Sequence, residues 1–192
     1  ATDFVRRVTA RLLAGEGDLL PVSALPVDGS FPTGTARFEK RGLASEIPIW
    51  DPDLCIDCGK CAAVCPHAAI RMKVFPRHSL TDAPAGFRSK EFRSHELADH
   101  LLGIQVAPDD CTGCGVCVDV CPAKSRQAVK HKAIDMQPAR EHPERERRSF
   151  EFFLSLPALP AGSLEPDTIK AAQTREPLFE FSGACAGCGE TP

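Results

Sequence analysis

Two runs of four cysteines constrain this chain more than any other feature of its sequence. They comprise Cys55, Cys58, Cys61 and Cys65, then Cys111, Cys114, Cys117 and Cys121, and both follow the pattern C-x2-C-x2-C-x3-C-P. A single C-x2-C pair is compatible with zinc, a redox dithiol or an iron–sulfur cluster. Two four-cysteine runs that each end in Cys-Pro favour two [4Fe–4S] clusters over zinc.

The spacing predicts which cysteines share a cluster. One loop holds three corners of a cubane, and in two-cluster proteins the fourth cysteine ligates the other cluster. We therefore expect Cys55, Cys58, Cys61 and Cys121 to hold the first cluster, and Cys111, Cys114, Cys117 and Cys65 to hold the second. We also expect the fourth cysteine of each run to open a short helix. Such crossed ligation makes metal binding part of the folding free energy.

Residues near the motifs have expected supporting roles. Small glycine residues allow backbone N–H groups to approach the sulfurs closely. His67 is interpreted as a hydrogen-bonding or packing residue rather than a ligand, because cysteines already supply the metal ligands. The apolar residues expected to shield the clusters are Ile56, Val64, Ile70, Val116, Val120 and Ile134.

The two motifs lie in an internal repeat. When Pro52–Ile70 is aligned with Pro108–Arg126, nine of nineteen positions are identical. Such self-similarity predicts two copies of one supersecondary unit, each a short helix followed by a strand starting at residues 68–70 or 132–134. Residues 71–107 form an insertion, for which we predict strands at 72–75 and 104–107 and a helix at 96–102. The expected fold is α+β, a bacterial two-[4Fe–4S] ferredoxin-like domain with an insertion and irregular linkers on either side.

Composition limits the environment and the partners. All ten cysteines lie within four residues of another, and the net charge is −3. Clustered thiols indicate metal ligands in a reducing cytoplasm rather than a disulfide framework. Basic residues are not gathered in one strong patch, so no nucleic-acid partner is expected. No apolar run reaches the roughly 20 residues that a membrane span requires.

The order of segments predicts four parts. Residues 1–50 are interpreted as a linker that begins with a helix at 3–14 and continues as a proline- and glycine-rich loop. Residues 51–136 form the cluster domain, and residues 137–176 a connector rich in proline and charge. Residues 177–192 end in a further pair, Cys185 and Cys188. That pair alone is compatible with half a zinc site, half a third cluster, or a redox dithiol. Both ends look cut, so we interpret the chain as a piece of a longer polypeptide.

The strings VDGSFPTGT, FEKR and GACAGCGETP, together with the two cysteine motifs, resemble pyruvate:ferredoxin (flavodoxin) oxidoreductase. The resemblance covers nearly the whole chain in the order of that family. It implies an enzyme that converts pyruvate and coenzyme A to acetyl-CoA, carbon dioxide and two electrons. Thiamine pyrophosphate with Mg²⁺ would serve as the electron sink, and ferredoxin or flavodoxin would accept the electrons.

The resemblance also implies roles for the last residues. Cys185 and Cys188 match two ligands of a third [4Fe–4S] cluster near thiamine, and Glu190 matches a position near the thiamine ring. Residues 177–192 would then be the start of the thiamine domain. We expect this chain alone to hold two clusters, to contain no catalytic residue and not to turn over pyruvate, and the full-length protein to be a homodimer. Two alternatives stay open: a standalone two-cluster ferredoxin, and an oxidoreductase for another 2-oxoacid.

Overall fold

The computed structural model describes residues 2–35, 38, 40, 42–94, 97–160, 162–165 and 167–177. The chain divides into two units, Ala1–Lys40 and Arg41–Pro192. In the first unit, a π-helical stretch Val5–Thr9 continues as helix α1, Ala10–Leu13. Two 3-10 turns follow, Gly17–Leu19 and Val22–Ala24. The predicted N-terminal helix and the turn-rich segment after it are confirmed.

In the second unit, a two-stranded antiparallel sheet joins the first and last strands. Strand β1 is Glu46–Trp50 and strand β5 is Ile134–Pro138. Glu46 is the strand partner of Pro138, and Trp50 is the partner of Ile134. The strand β1 thus lies within the last residues of the expected linker 1–50. Along the chain, both cysteine motifs lie between these two paired strands.

The second sheet is built largely from the insertion. It contains β2 (Ile70–Pro76), β3 (Lys90–Glu91) and β4 (His100–Val106) in the antiparallel order β2-β4-β3. Strand β2 pairs with β4 along its whole length, from Ile70 opposite Val106 to Pro76 opposite His100. The strands predicted to start after each cysteine motif are confirmed as β2 and β5.

The helix predicted over residues 96–102 is wrong for the part of it that the structure describes. Residues 97–99 form a turn, and His100 begins β4. Six of the seven residues of β4 are buried, and a strand buried on both faces reads as a continuous apolar run. A short apolar run of this kind does not distinguish a strand from a helix by periodicity.

Four further helices complete the second unit. They are α2 (Lys60–Ala63), α3 (Val116–Asp119), α4 (Pro143–Ser155) and α5 (Ile169–Gln173). Short 3-10 helices cover Arg77–Leu80 and Ala139–Glu141. The expected connector 137–176 therefore contains a helix of 13 residues. No helix among the described residues is long and apolar enough to span a membrane.

The expectation that the fourth cysteine opens a helix is wrong. Helices α2 and α3 contain the third cysteine of each motif, and Cys65 and Cys121 come after the helix ends. Each fourth cysteine precedes a proline, and the residue before a proline is disfavoured in helical conformation. Glycine supplies the start instead, because Gly59 and Gly115 occupy the N-cap with φ of 70° and 76°, a conformation that suits glycine.

The sheet of β2 and β4 separates two apolar clusters. One face carries Met72, Val74 and Ile104, which pack with the cysteine motifs and with β1. The other face carries Phe75 and Leu101, which pack against helix α4. The second unit is therefore layered: the cysteine motifs and the β1–β5 pair, then the three-stranded sheet, then α4. This mixed arrangement of helices and sheet confirms the expected α+β class.

Candidate metal centres

Three cysteines of the second motif meet one cysteine of the first. A single cleft is lined by Cys65, Cys111, Cys114 and Cys117, together with apolar residues from α3 and β1. The pKa of Cys111 and of Cys117 is raised chiefly by burial, and repulsion from Cys65 adds to the rise in both. The structure thus brings Cys65 away from its own motif and beside the second motif.

Three cysteines of the first motif form the other group. The pKa of Cys61 is raised to about 12, first by burial and then by repulsion from neighbouring thiolates that include Cys55 and Cys58. Cys121 is half-buried against the same apolar core, and its sulfur lies 3.8 Å from the carbonyl oxygen of Ala123. The place of Cys121 in the first group rests on the repeat, because Cys121 is the counterpart of Cys65.

All eight described cysteines are free thiols. Burial raises the pKa of Cys111 to about 11 and that of Cys117 to about 12, so metal binding must displace protons from them. Among the described residues, no three His, Cys, Asp or Glu side chains converge on a position for a single ion. A cubane requires less convergence than one ion, because each cysteine binds a different iron atom.

Backbone N–H groups approach three of the sulfurs. The N–H of Asp57 donates to Cys55 Sγ at 3.4 Å, and the N–H of Gly113 donates to Cys111 Sγ at 3.4 Å. These two bonds occupy the same position in the two repeats. The N–H of Ala69 donates to Cys65 Sγ at 3.2 Å. Such bonds stabilise thiolate ligands and tune the reduction potential of iron–sulfur clusters.

A buried ion pair distinguishes the first motif from the second. The Asp57 side chain is 1% exposed, and its Oδ1 lies 3.0 Å from Lys90 Nζ, whose side chain is 14% exposed. The Lys90 amino group also donates to the carbonyl oxygen of Cys55. The counterpart of Asp57 in the second repeat is Gly113. This pair is not predicted from the sequence. An aspartate where the other repeat has glycine distinguishes Asp57, but it does not indicate that Lys90 is its partner.

Two buried ring nitrogens lie beside the cysteines without a hydrogen-bond partner among the described residues. His67 is 5% exposed and lines the cleft of Cys65, and its Nδ1 is the unpartnered atom. Trp50 is 4% exposed, and its unpartnered Nε1 is near enough to Cys55 to lower the pKa of that thiol, although burial raises it overall. Both rings could donate to a sulfur.

The expected apolar shield is only partly present. Ile70 and Ile134 are buried, and Val64 and Val116 line the cleft of Cys65. Ile56 is 52% exposed, so its expected shielding role is not seen. It lies in the loop between the first two cysteines. Cys185, Cys188 and Glu190 lie outside the described residues.

Family models indicate the type of domain, and curated proteins are similar to the chain over nearly its whole length. Models described as 4Fe-4S dicluster domains match residues 54–125 and 103–148, and a domain of unknown function matches residues 1–44. The chain is 53% identical over 192 residues to the probable pyruvate-flavodoxin oxidoreductase of Escherichia coli strain K12. It is 52% identical over 192 residues to the pyruvate-flavodoxin oxidoreductase of Nostoc sp..

A third relative, the pyruvate:ferredoxin oxidoreductase of Moorella thermoacetica, is 47% identical over 190 residues. The chain spans 16% of the length of each of these three relatives. The similarity covers the cysteine motifs and also the segments on both sides of them. Over nearly its whole length the chain is therefore similar to a segment of pyruvate-flavodoxin and pyruvate:ferredoxin oxidoreductases, and the 4Fe-4S dicluster models match within that segment.

Proposed function

We propose that this chain is the electron-transfer segment of an enzyme that oxidises pyruvate. In the proposed overall reaction, pyruvate and coenzyme A give acetyl-CoA, carbon dioxide, one proton and two electrons, and ferredoxin or flavodoxin accepts the electrons one at a time. The observation that carries the proposal is the cleft in which Cys65 of the first motif meets Cys111, Cys114 and Cys117 of the second. That arrangement fits the crossed ligation of two [4Fe–4S] clusters.

The residues fit two clusters in the sets that the spacing predicts. Cys55, Cys58, Cys61 and Cys121 would hold the first, and Cys111, Cys114, Cys117 and Cys65 the second. When bound, the clusters supply low-potential sites that take up and release single electrons. The N–H groups of Asp57, Gly113 and Ala69 stabilise the ligand thiolates. The apolar core around Cys55, Cys61 and Cys117 excludes water from them.

The remaining machinery belongs to the longer relatives. We infer that Cys185 and Cys188 are half of the ligand set of a third cluster, and that Glu190 contacts thiamine pyrophosphate, which binds with Mg²⁺. In this reading residues 1–50 link the dicluster segment to a preceding domain, residues 71–107 are an insertion in it, and residues 177–192 begin the thiamine domain. A reducing cytoplasm suits free thiol ligands, and we infer a homodimer at full length.

The similarity over residues 1–44 and beyond the second motif favours this segment over a standalone ferredoxin. A two-cluster carrier would need neither the N-terminal unit nor the terminal cysteine pair. The enzyme reading predicts that the full-length protein reduces flavodoxin only when pyruvate and coenzyme A are both present. Reduction without coenzyme A, or with another 2-oxoacid in preference to pyruvate, would contradict it.

The crossed ligand sets are tested by two matched variants of the iron-loaded chain. Cys121→Ala should damage the cluster of the first motif, and Cys65→Ala should damage that of the second. Electron paramagnetic resonance of the reduced protein and iron analysis distinguish the two losses. If Cys121→Ala removed only the cluster of the second motif, the crossing would be wrong. Cys185→Ala is the control, because we expect it to leave the iron content of this chain unchanged.

A further inference from the structure

A basic loop leads from the last cysteine of the second motif to strand β5. The stretch from Pro122 to Ile134 contains five basic residues and no aspartate or glutamate, in a chain whose net charge is −3. The basic residues are Lys124, Arg126, Lys130, His131 and Lys132. No strong basic patch is expected from the sequence, but these five residues lie together on one loop. We name residues 124–132 the basic loop.

The basic loop has a defined conformation. Lys124 and Lys132 form an antiparallel bridge at its base, and the N–H of Ser125 donates to the His131 carbonyl oxygen at 2.8 Å. The Ser125 hydroxyl accepts the N–H groups of Gln127 and Ala128, each at 3.1 Å. These bonds hold the backbone of the basic loop in one conformation.

The basic side chains divide into two sets. His131 lies between Asp51 and Asp135, and the Lys132 amino group donates to backbone oxygens of α3, so these two hold the loop in place. Lys124, Arg126 and Lys130 are exposed, and no carboxylate of the described residues pairs with them. Between them Val129 is 93% exposed. The outer surface thus combines three unpaired cations with one apolar contact.

The base of the basic loop adjoins a proposed cluster ligand. Ala123 is buried, and its carbonyl oxygen accepts the N–H of Ala133 and lies 3.8 Å from the sulfur of Cys121. Lys124 comes three positions after Cys121, so their Cα atoms are at most about 11 Å apart. A partner bound to the loop would approach the first cluster closely, and electron transfer requires such an approach.

We propose that the basic loop is the docking surface for the protein that accepts the electrons, and that this acceptor presents an acidic face. The inference rests on the proposed function and names the surface that the acceptor uses. Unpaired cations steer an acidic partner towards its site and raise the association rate at low salt. The exposed Val129 supplies the apolar contact that the centre of an interface requires.

The test uses the full-length enzyme with Lys124, Arg126 and Lys130 all replaced by glutamate. Pyruvate-dependent reduction is followed with flavodoxin and, separately, with metronidazole, a small uncharged acceptor that needs no docking surface. We expect the KM for flavodoxin at low ionic strength to rise at least tenfold and its salt dependence to weaken. The rate with metronidazole should stay at the parent value. The control is R6E/R93E/R148E, which changes the charge equally at exposed positions elsewhere.

Three outcomes would overturn the docking surface. They are an unchanged KM for flavodoxin in the triple variant, an equal rise of that KM in the control variant, or an equal loss of reduction rate with flavodoxin and with metronidazole. An equal loss of rate would mean that the basic loop supports the cluster and does not bind the acceptor. A parent enzyme that reduces neither acceptor from pyruvate would overturn the proposed function itself, and the docking inference with it. The two failures are therefore distinguishable.

A separate observation concerns His67 in the cleft of Cys65. His67 is 5% exposed, and its Nδ1 has no hydrogen-bond partner among the described residues. It lines the same cleft as Cys65, Cys111, Cys114 and Cys117. Its neighbour Ala68 has φ of 49°, and the N–H of Ala68 donates to the Cys65 carbonyl oxygen at 3.3 Å. In this turn His67 lies two residues after Cys65, and its buried ring lines the cleft.

A buried nitrogen without a partner destabilises a fold, so we infer that the partner is a sulfur of the second cluster. In this inference, which rests on the proposed ligand sets, His67 Nδ1–H donates to that sulfur. A hydrogen bond to sulfur stabilises the more negative, reduced state of a cluster and so raises its reduction potential. His67 is then a positioning residue of the second cluster, not a ligand.

The potential of each cluster can be followed by redox titration with electron paramagnetic resonance. His67→Leu should lower the potential of the second cluster and leave that of the first unchanged, while His67→Asn, which keeps an N–H donor, should restore most of the shift. An unchanged potential in His67→Leu, or equal shifts in both variants, would overturn the inference. In the parent protein, pulsed resonance should detect coupling of a histidine nitrogen to the reduced cluster, and its absence would also overturn the inference.

Discussion

At the scale of single residues, the two cysteine loops differ by one charge pair. The first loop has Asp57 at the position where the second has Gly113, and both residues have positive φ, 62° and 71°. Lys90, which pairs with Asp57, is the first residue of strand β3 in the insertion. The insertion is therefore joined to the first motif by an ion pair in which Asp57 is buried and Lys90 is mostly buried.

Lys90→Met should destabilise the chain strongly. It leaves the carboxylate of Asp57 buried and unpaired, which costs about 3–5 kcal/mol of unfolding free energy. Urea unfolding of the iron-loaded protein measures the change. The double variant Asp57→Gly/Lys90→Met gives the first loop the residue of the second and should recover most of the loss. A single variant as stable as the parent would contradict the prediction.

His131 predicts a pH-dependent contribution to stability. Its pKa is raised by hydrogen bonds, first to Asp51 and then to Asp135. Partial burial alone would raise the pKa of Asp51, but hydrogen bonds from His131 and the Asp53 backbone lower it overall. The stabilisation by His131 is complete below its ordinary pKa of 6.5 and is lost as pH rises through the raised value. The stabilisation by Asp51 is lost as pH falls through the lowered pKa of its carboxyl group.

Thermal unfolding at two pH values checks the sign. His131→Ala should lower the melting temperature more at about pH 6 than at about pH 9, because the imidazolium bridge exists only at the lower pH. Lys130→Ala, beside it on the basic loop, has no such bridge and should show no comparable difference. Equal effects of His131→Ala at both pH values would mean that the ring acts through packing alone.

At the scale of elements, helix α4 covers the side of the sheet that faces away from the cysteines. Phe150 and Phe153 stack with ring centroids 6.0 Å apart, and Lys73 of β2 lies over the ring of Phe153. The Lys73 amino group also donates to the carbonyl oxygens of Phe153 at 3.0 Å and Leu156 at 2.7 Å. Burial lowers the pKa of Lys73. A lysine at this end satisfies helix carbonyls that would otherwise lack partners.

Phe153→Ala should cost about 3–5 kcal/mol of unfolding free energy, because the side chain is 1% exposed and a cavity replaces it. Leu154→Ala is the matched control. That leucine is adjacent in the helix but 47% exposed, so its loss should be small. Chemical denaturation of both variants compares them. Equal costs would show that the contact between α4 and the sheet contributes little.

The sequence predicted the parts whose pattern is local. The repeat predicted the starts of β2 and β5, because the same motif recurs with apolar residues after it. It also predicted a short helix in each motif, but at the fourth cysteine rather than at the third, where the helices lie. Helix α4 was missed because the charges of residues 140–148 were interpreted as a solvated connector. A proline at the first helical position and apolar residues three apart were signals for it. The Asp57–Lys90 pair was unpredictable, since it depends on how the insertion folds back.

Around the cysteines, too, the sequence predicts local features but not contacts between distant segments. The C-x2-C-x2-C-x3-C-P spacing alone predicted that Cys65 would leave its own motif for the second. It did not predict that His67 and Trp50 would place unpartnered nitrogens beside the sulfurs. Those contacts depend on packing between segments that are distant in sequence, which no local pattern records.

At the scale of the whole molecule, the cysteines are part of the core. Cys55, Cys61 and Cys117 are buried in the cluster of apolar residues that also contains Trp50 and Ile104. The two motifs are joined through helices α2 and α3 and, in the proposed function, through shared metal ligands. If the proposed ligand sets hold, folding and metal binding are coupled in this unit.

Removal of iron from the loaded chain should abolish its cooperative unfolding transition. A chelator with a reductant strips the clusters, and near-ultraviolet circular dichroism then reports whether tertiary packing remains. The three-stranded sheet with α4 has its own apolar cluster, so some far-ultraviolet signal should persist. An iron-free chain that unfolds at the same temperature as the loaded one would show that the clusters do not stabilise the fold.

The pairing of β1 with β5 brings the two ends of the cysteine-bearing segment together. Glu46, where the segment begins, is the strand partner of Pro138, where it ends, and such partners have Cα atoms only about 4.5–5.5 Å apart. A segment with adjacent ends can be grafted into a longer polypeptide without separating the residues that flank the insertion point. A segment of this kind can be transferred between genes by recombination as one contiguous coding sequence.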